Sequence, residues 1–277
     1  MMDRKLIGID LDKTTLNDAG KVSDRTRRTL QAAQREGHIV SIVTGRPVRL
    51  SMDIYDTLGL QSPMINFNGS LGHKPYQHWD HEYSFNIDRE IAFDLLENAQ
   101  MMGIDTVVAE SKNDVWANGN GPQRGTEDAI FFPQDETGRK MLDRLNLQTD
   151  VNAILIHAEN ALHQSQIQHF VTDRYGADRV NVKTWGGESP VLEVAPAGVS
   201  KDTGLDVLRK AYDIKRDDIY AFGDEMNDFE MIGYATHGVV MKNGNPELKA
   251  IADDMTDYTN EEDGLARYLE KLLKLSL

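Results

Sequence analysis

Two aspartates one residue apart, Asp10 and Asp12, stand at the end of the apolar run from Leu6 to Ile9, and the hydroxyls of Thr14 and Thr15 follow at once. An apolar run of this length reads as a short buried strand. Open parallel α/β sheets bind their ligands in the crevice beyond the carboxyl ends of the strands, so all four groups arrive where such folds do chemistry. Two converging carboxylates repel each other by about 4 kcal/mol at roughly 4 Å and an effective dielectric of about 20. A hard divalent cation relieves that repulsion, and oxygen donors of this kind suit Mg²⁺. Taken alone, the segment has an ordinary alternative: a strand followed by a polar turn with Asp as a cap.

Three further places carry matching chemistry. Thr44 closes the β-rich run from His38 to Val43, and Lys201 begins a helix behind Ser200. The acidic run Gly223-Asp224-Glu225-Met226-Asn227-Asp228 follows the apolar stretch from Ile219 to Phe222. Backbone N–H groups at a helix start favour an anion, which suits Lys201's position. A strand-end threonine and a helix-start lysine are each commonplace. Together with the two aspartates they make up a nucleophile, a second carboxylate, a hydroxyl, a fixed cation and a third acidic corner. That is the inventory of phosphoryl transfer, in which metal and lysine neutralise spreading charge while a positioned oxygen attacks in line.

The elements that must position these groups alternate. Ser23 caps a helix expected to reach about Glu36, with Gly37 as its stop, and Pro47 opens one expected to reach Leu58, with Gly59 beyond. Met64 to Phe67 reads as a third strand, closed by the turn dipeptide Asn68-Gly69. The pattern resumes with a strand at Val191–Val194, the Ser200 helix, strands at Ile219–Phe222 and Val239–Met241, and a helix opened by Pro246. A final helix carries Leu265, Tyr268, Leu269, Leu272 and Leu273 on one stripe. Alternating β and α units imply a doubly wound parallel sheet, Rossmann-like in class. Between them the rhythm changes. That stretch reads as a helix near Asp88–Met102, strands at Thr106–Ala109 and Val115–Ala117, and a Gly/Asn-rich loop at Asn118–Gly125. A helix near Glu136–Leu145, the strand Ala153–His157, the helix His163–Tyr175 and the strand Val180–Thr184 follow. The expected organisation is a core from residues 1–82 and 190–277 with an inserted α+β cap at 83–189.

Composition narrows the class. The 277 residues contain no cysteine, which excludes disulfides, thiol catalysis and cysteine-ligated zinc. A formal net charge of −15 argues against nucleic acid or an anionic membrane as partner. No apolar run approaches the ~20 residues of a membrane helix, and Met1 to Lys5 lead straight into the first strand, so the expectation is a cytoplasmic protein. Oligomeric state is not legible.

The chain resembles the haloacid dehalogenase superfamily of phosphatases, in particular its Cof-like sugar-phosphatase branch with a class II cap. The resemblance is carried by Asp10-Leu11-Asp12-Lys13-Thr14, Thr44-Gly45-Arg46, Lys201 within Gly198-Val199-Ser200-Lys201, and Gly223 to Asp228, with support from Asn243-Gly244-Asn245-Pro246-Glu247 and Glu262-Asp263-Gly264. It implies that Asp10 attacks phosphorus and that Asp12 serves as acid and then base. It further implies that Leu11, Thr44, Gly45 and Asn227 hold the phosphoryl group, with Lys201 neutralising it. Mg²⁺ would be bound by Asp10, the backbone carbonyl of Asp12 and Asp224, supported by Asp228. The branch usually carries Gly where this chain has Lys13, a side chain expected to point to solvent.

The implied activity is hydrolysis of small phosphorylated metabolites, sugar phosphates among them. A phosphomutase would use the same aspartyl-phosphate, and a receiver-type signalling module shares Asp, Thr, Lys and Mg²⁺ but is shorter and has no partner like Asp12. The histidines His73, His78 and His81 cluster in sequence without metal-site spacing. Trp116 and Trp185 are expected to pack within the cap.

Overall fold

Leu6–Ile9 forms strand β1, buried at all four positions, as an unbroken apolar run must be when helices cover both faces of its sheet. The structure, a computed structural model, describes residues 4–122, 126–133, 138–185 and 189–275. After β1 come helix α1 (Asp24–Arg35), β2 (Ile39–Ile42), α2 (Met52–Leu58), β3 (Met64–Asn66), β4 (Leu71–His73) and β5 (Tyr83–Ser84). The middle of the chain supplies α3 (Glu90–Glu97), α4 (Ala99–Met102), β6 (Ile104–Glu110), β7 (Val115–Ala117) and β8 (Lys140–Met141). It continues with β9 (Ala153–Ala158), α5 (Gln164–Tyr175), β10 (Val180–Thr184) and β11 (Val191–Pro196). The last stretch holds α6 (Lys201–Ala211), β12 (Ile219–Gly223), α7 (Phe229–Tyr234), β13 (His237–Val240), α8 (Pro246–Lys249), β14 (Asp254–Met255) and α9 (Gly264–Leu273).

Two compact units result: Met1–Arg46 with Leu50–Tyr83 and Ser200–Leu277, and Pro47–Arg49 with Ser84–Val199. The first holds a parallel sheet of order β14-β13-β12-β1-β2, in which Leu6 lies beside Ile219 on one side and Ile39 on the other. Alternate residues of β1 feed two clusters. Ile7 and Ile9 pack with Leu30, Ala33, Leu265 and Leu269 from α1 and α9, while Leu6 packs with Leu205, Leu208 and Ile232 from α6 and α7. Each such buried aliphatic side chain contributes about 1.5–3 kcal/mol. Gly8 makes room on the second face: a Cβ there would come within 2.9 Å of Leu205 Cδ1, and the Leu205 side chain would have to shift.

The second unit is built on a sheet of order β10-β11-β9-β6-β7-β8, antiparallel except for the β7–β8 pair. One face is covered by Ile91 and Leu95 of α3 and by Ile167 and Val171 of α5, packed on Val107, Ala109, Ile154, Ile156, Leu192 and Val194. The other face carries a smaller cluster of Val108, Val115, Ala117, Phe132, Leu155 and Val191.

Four elements depart from expectation. Val191–Pro196 pairs antiparallel with β9 and β10 in the second unit rather than resuming the parallel sheet, and that unit runs to Val199, beyond the expected boundary at 190. An apolar run does not disclose which sheet it joins. No helix forms over 138–145, where β8 is followed by turns; buried Leu142 and Leu147 are five apart, a spacing that gives no helical face. The first residues of that expected helix, 136 and 137, lie outside the described residues. The helix expected over Asp88–Met102 breaks at Asn98, whose side-chain amide donates to the Asp94 carbonyl at 2.8 Å and competes with the main-chain ladder. The Pro47 segment forms a separate 3₁₀ turn, Val48–Leu50, before α2 begins at Met52.

Candidate active site

Every element of the first unit that carries a chemical residue delivers it at the carboxyl end of the parallel sheet. Asp10 leaves β1 with its N–H donating to Phe222 O at 3.0 Å, which ties it to the neighbouring strand β12. Leu11–Thr15 then form a wide turn, closed by Leu16 N–H donating to Leu11 O at 2.8 Å and kinked at Lys13, whose φ is +53°. Thr15 Oγ1 donates to Asp10 O at 2.5 Å, and Asn243 Nδ2 to Lys13 O at 2.8 Å. The turn thus fixes the main chain around both aspartates.

Lys201, at the first position of α6, is fully buried and donates to Asp10 Oδ1 and Asp228 Oδ1, each at 2.6 Å. Asp228 Oδ2 accepts from the N–H groups of Asp224 at 2.9 Å and Glu225 at 3.2 Å. The close approach requires Gly223, where a Cβ would stand 2.4 Å from Asp228 Cγ. Asp224 Oδ1 accepts from Thr14 Oγ1 at 3.2 Å. One carboxylate oxygen from each of Asp10, Asp224 and Asp228 lies within 4.8 Å of the others.

Three buried carboxylates therefore face a single ammonium. Burial and the charges of Asp228, Asp224 and Asp12, opposed by Lys201, hold the Asp10 carboxyl well above the usual carboxylate range. Burial, reinforced by Asp228, pushes Asp224 up to about 7. Burial opposes the Lys201 charge, but Asp10 and Asp228 outweigh it and raise its pKa, so the lysine stays cationic. The surplus negative charge and the hard oxygen donors fit a divalent cation such as Mg²⁺. Asp10 and Asp224 are the carboxylates with an oxygen to offer it, because both oxygens of Asp228 are already engaged.

Asp12 stands apart from that cluster. Its carboxylate is held by Arg46, Nε to Oδ2 at 2.8 Å and Nη2 to Oδ1 at 2.5 Å, in the bidentate fork that guanidinium geometry favours. The Asp12 side chain is 48% exposed against 7% for Asp10. The sequence thus brings two carboxylates to one strand end, and the structure gives one to the lysine and leaves the other near solvent.

Thr44 is buried, and its Oγ1 accepts from Arg46 N–H at 3.1 Å. Gly45 lies against Asn68: a Cβ there would meet Asn68 Oδ1 at 2.9 Å. Asn68 Oδ1 also accepts from Asn227 Nδ2 at 3.2 Å, so the loops that carry Gly45 and Asn227 meet at Asn68. Leu11 is fully buried, which leaves only its main chain for a ligand. Two members were not assigned roles from sequence: Arg46, although it stands in the motif, and Asn68, noticed only as a turn residue. His73 is buried against Asn66 Oδ1 and His78 is exposed beside Asp80, so these histidines take separate partners.

A family model described as haloacid dehalogenase-like hydrolase matches residues 7–269. The chain belongs to the haloacid dehalogenase-like hydrolases. It is 35% identical over 271 residues, 98% of each chain, to the 5-amino-6-(5-phospho-D-ribitylamino)uracil phosphatase YitU of Bacillus subtilis. It is 30% identical to the phosphatase YwpJ of the same organism, with 97% of this chain and all of that one covered. Among solved structures, a haloacid dehalogenase-like hydrolase from Bacteroides thetaiotaomicron superposes with a TM-score of 0.82 at 25% identity, covering 98% of this chain and all of the other. This hydrolase is of the Cof-like branch and is a phosphoric monoester hydrolase acting on small phosphorylated molecules. Among its described residues no helix is long and apolar enough to cross a membrane.

Proposed function

We propose that the chain is a Mg²⁺-dependent phosphatase that cleaves sugar or polyol phosphates through an aspartyl-phosphate on Asp10. The supporting observation is the division of labour between the two aspartates. Asp10 is buried, with Oδ1 on Lys201, and Asp12 is half-exposed and outside the cluster. A nucleophile needs a fixed oxygen in a water-poor, positively compensated site; an acid–base group must exchange protons with a leaving group and with water. An Asp10 oxygen attacks phosphorus, the ester P–O bond breaks, and the departing oxygen takes a proton from Asp12. Asp12, now a carboxylate, takes a proton from water as that water attacks phosphorus, which frees inorganic phosphate and restores Asp10. Bound Mg²⁺, held by the carboxylates of Asp10 and Asp224, the Asp12 carbonyl and Asp228's supporting bonds, would offset charge on the phosphoryl oxygens. Lys201 holds Asp10 in line, while Thr44, Gly45, Asn227 and the Leu11 main chain offer contacts to the phosphoryl group.

The substrate class rests on similarity. The 35%-identical relative is named for a ribityl phosphate that carries a uracil ring, and a 28%-identical Bacillus subtilis relative bears the same name. Substrate choice is assigned to the inserted unit, since every motif residue lies outside it. The test is steady-state phosphate release from a panel of sugar and polyol phosphates with and without Mg²⁺. Turnover abolished by chelation and restored by Mg²⁺ is expected. Equal turnover in chelator, or a stable phospho-protein in place of turnover, contradicts the proposal.

A further inference from the structure

The first unit carries a cleft of about 550 Å³ at the end of its parallel sheet opposite the catalytic aspartates. Every residue of its wall belongs to that unit. Arg4, which precedes β1, and Ile39, which begins β2, both line it, whereas Asp10 leaves the far end of β1. A strand rise of ~3.3 Å per residue sets Arg4 and Asp10 roughly 20 Å apart. The chain has 45 acidic side chains against 30 lysines and arginines, yet no carboxylate lines this cleft, while Arg4, Arg35 and Lys74 do. The three cations arrive from separate segments: the start of β1, the end of α1 and the residue after β4. Arg35 alone would be an ordinary partner for the carbonyl end of α1, but that role accounts for neither Arg4 nor Lys74. None of the three forms an ion pair among the described residues. Arg4 Nε donates to Gly37 O at 3.0 Å, and its guanidinium lies 5.3 Å from the centroid of the half-buried Tyr212 ring, contacts that fix the charge without neutralising it. Gln34 stitches α1 to the segment after α2, accepting from Gln61 N–H at 3.0 Å and donating to Gly59 O at 3.4 Å, so the wall is built before any ligand arrives.

His38 completes the wall and is 3% exposed. Its Nδ1 accepts from Lys5 N–H at 3.1 Å, so the neutral ring carries its proton on Nε2, and that N–H has no acceptor among the described residues. A buried donor left without an acceptor is uncommon in a folded chain. Burial lowers the ring's pKa against the charges of Glu36 and Asp218. Neither carboxylate lines the cleft, and Asp218 is held by Lys5 at 3.5 Å. Uncompensated cations around a cavity of small-molecule size call for a ligand with more than one anionic group.

We propose that this cleft is a second ligand site, separate from the catalytic one, which binds a small polyanion carrying a diphosphate through Arg4, Arg35 and Lys74. Guanidinium and ammonium donors together suit phosphate oxygens, the first by its planar fork and the second as a point charge. The Tyr212 ring beside Arg4 offers a flat surface to a base attached to the diphosphate.

The experiment is isothermal titration calorimetry of the full chain in metal-free buffer with inorganic pyrophosphate, ADP and orthophosphate as probes. Without metal, the buried carboxylates of Asp10, Asp224 and Asp228 repel a polyanion, so binding under these conditions reports the cleft. Pyrophosphate is expected to bind at one site per chain, at least about tenfold more tightly than orthophosphate. The double change Arg35→Gln with Lys74→Gln should weaken it at least about tenfold, the scale of a lost charge-assisted hydrogen bond. Lys21→Gln with Lys271→Gln removes the same charge from exposed positions outside the cleft and should leave the affinity within about twofold. Turnover of p-nitrophenyl phosphate with Mg²⁺ should stay within about twofold in both double variants, which verifies that they are folded. Tighter binding of ADP than of pyrophosphate, lost in Tyr212→Leu, assigns the site to a nucleotide; equal affinities assign it to the diphosphate alone. No saturable binding of pyrophosphate or ADP overturns the proposal. So does orthophosphate binding as tightly as pyrophosphate, or an equal loss of affinity in the two double variants.

Discussion

Both compact units bury charge, and they balance it differently. In the first, Asp10, Asp224 and Asp228 crowd around the ammonium of Lys201, and burial with the neighbouring charges drives the Asp10 and Asp224 carboxyls upward in pKa. In the second, Glu110 meets one guanidinium, Arg49, in a closed one-to-one pair. An unbalanced cluster is costly in an empty fold and becomes favourable only when a cation or a transferring phosphoryl group completes it. A balanced pair needs nothing further and serves to fix geometry. The contrast separates a site that performs chemistry from one that holds a shape.

The largest break in that contrast comes from its centre. Asp10→Asn keeps the shape of the side chain but removes the attacking carboxylate, and turnover should fall by at least about 10⁴-fold. Steady-state assays on any accepted ester check this, with the fold verified by circular dichroism. Asp12→Asn should cost about 10²–10⁴-fold on alkyl phosphates. The loss should be smaller on p-nitrophenyl phosphate, whose leaving group needs little protonation. Equal losses on both substrates would contradict a role for Asp12 in leaving-group protonation.

Arg46 sharpens the comparison within the first unit. Its fork occupies both Asp12 oxygens, so one must be released before Asp12 can reach a leaving group or water. Arg46→Lys removes the planar fork and should lower kcat about 10–100-fold, the usual cost of losing an orienting partner, with a shifted pH–rate profile. A change in KM alone would mean that Arg46 binds substrate and does not position Asp12.

The smallest expected effect is thermodynamic. Burial and Asp228 push the Asp224 carboxyl up to about 7 in the fold, well above its value of about 3.9 when unfolded. Its protonated form favours the fold, and that contribution is lost as pH rises from about 4 through 7. Mg²⁺ needs the carboxylate, so its stabilising effect should grow over the same range. Melting curves with and without Mg²⁺ at pH 5 and pH 8 should show the larger gain in Tm at pH 8. A gain independent of pH would contradict the charge surplus.

The positions of Asp10, Thr44, Lys201 and the Gly223–Asp228 run at strand ends or a helix start were legible in the sequence because local pattern defines those boundaries. The parallel sheet was legible for the same reason, as was the Ser23 cap, whose side chain accepts from Thr26 N–H. What escaped depends on distance along the chain. Arg46 finds Asp12 34 residues away, Arg49 finds Glu110 61 away, and Asn227 finds Asn68 159 away. A long side chain in sequence does not announce its partner. Val191–Pro196 was legible as a strand and misassigned as to sheet, since its apolar residues fit either environment.

The most direct test of the account is to trap the phospho-enzyme. Asp12→Asn, mixed with a ³²P-labelled polyol phosphate and Mg²⁺ and quenched in acid, should accumulate label on the peptide that contains Asp10. The double change with Asp10→Asn should carry none. Label on another residue, or hydrolysis by Asp12→Asn without any labelled protein on the millisecond-to-minute scale, would contradict the assignment of Asp10 as nucleophile and Asp12 as the group that releases it.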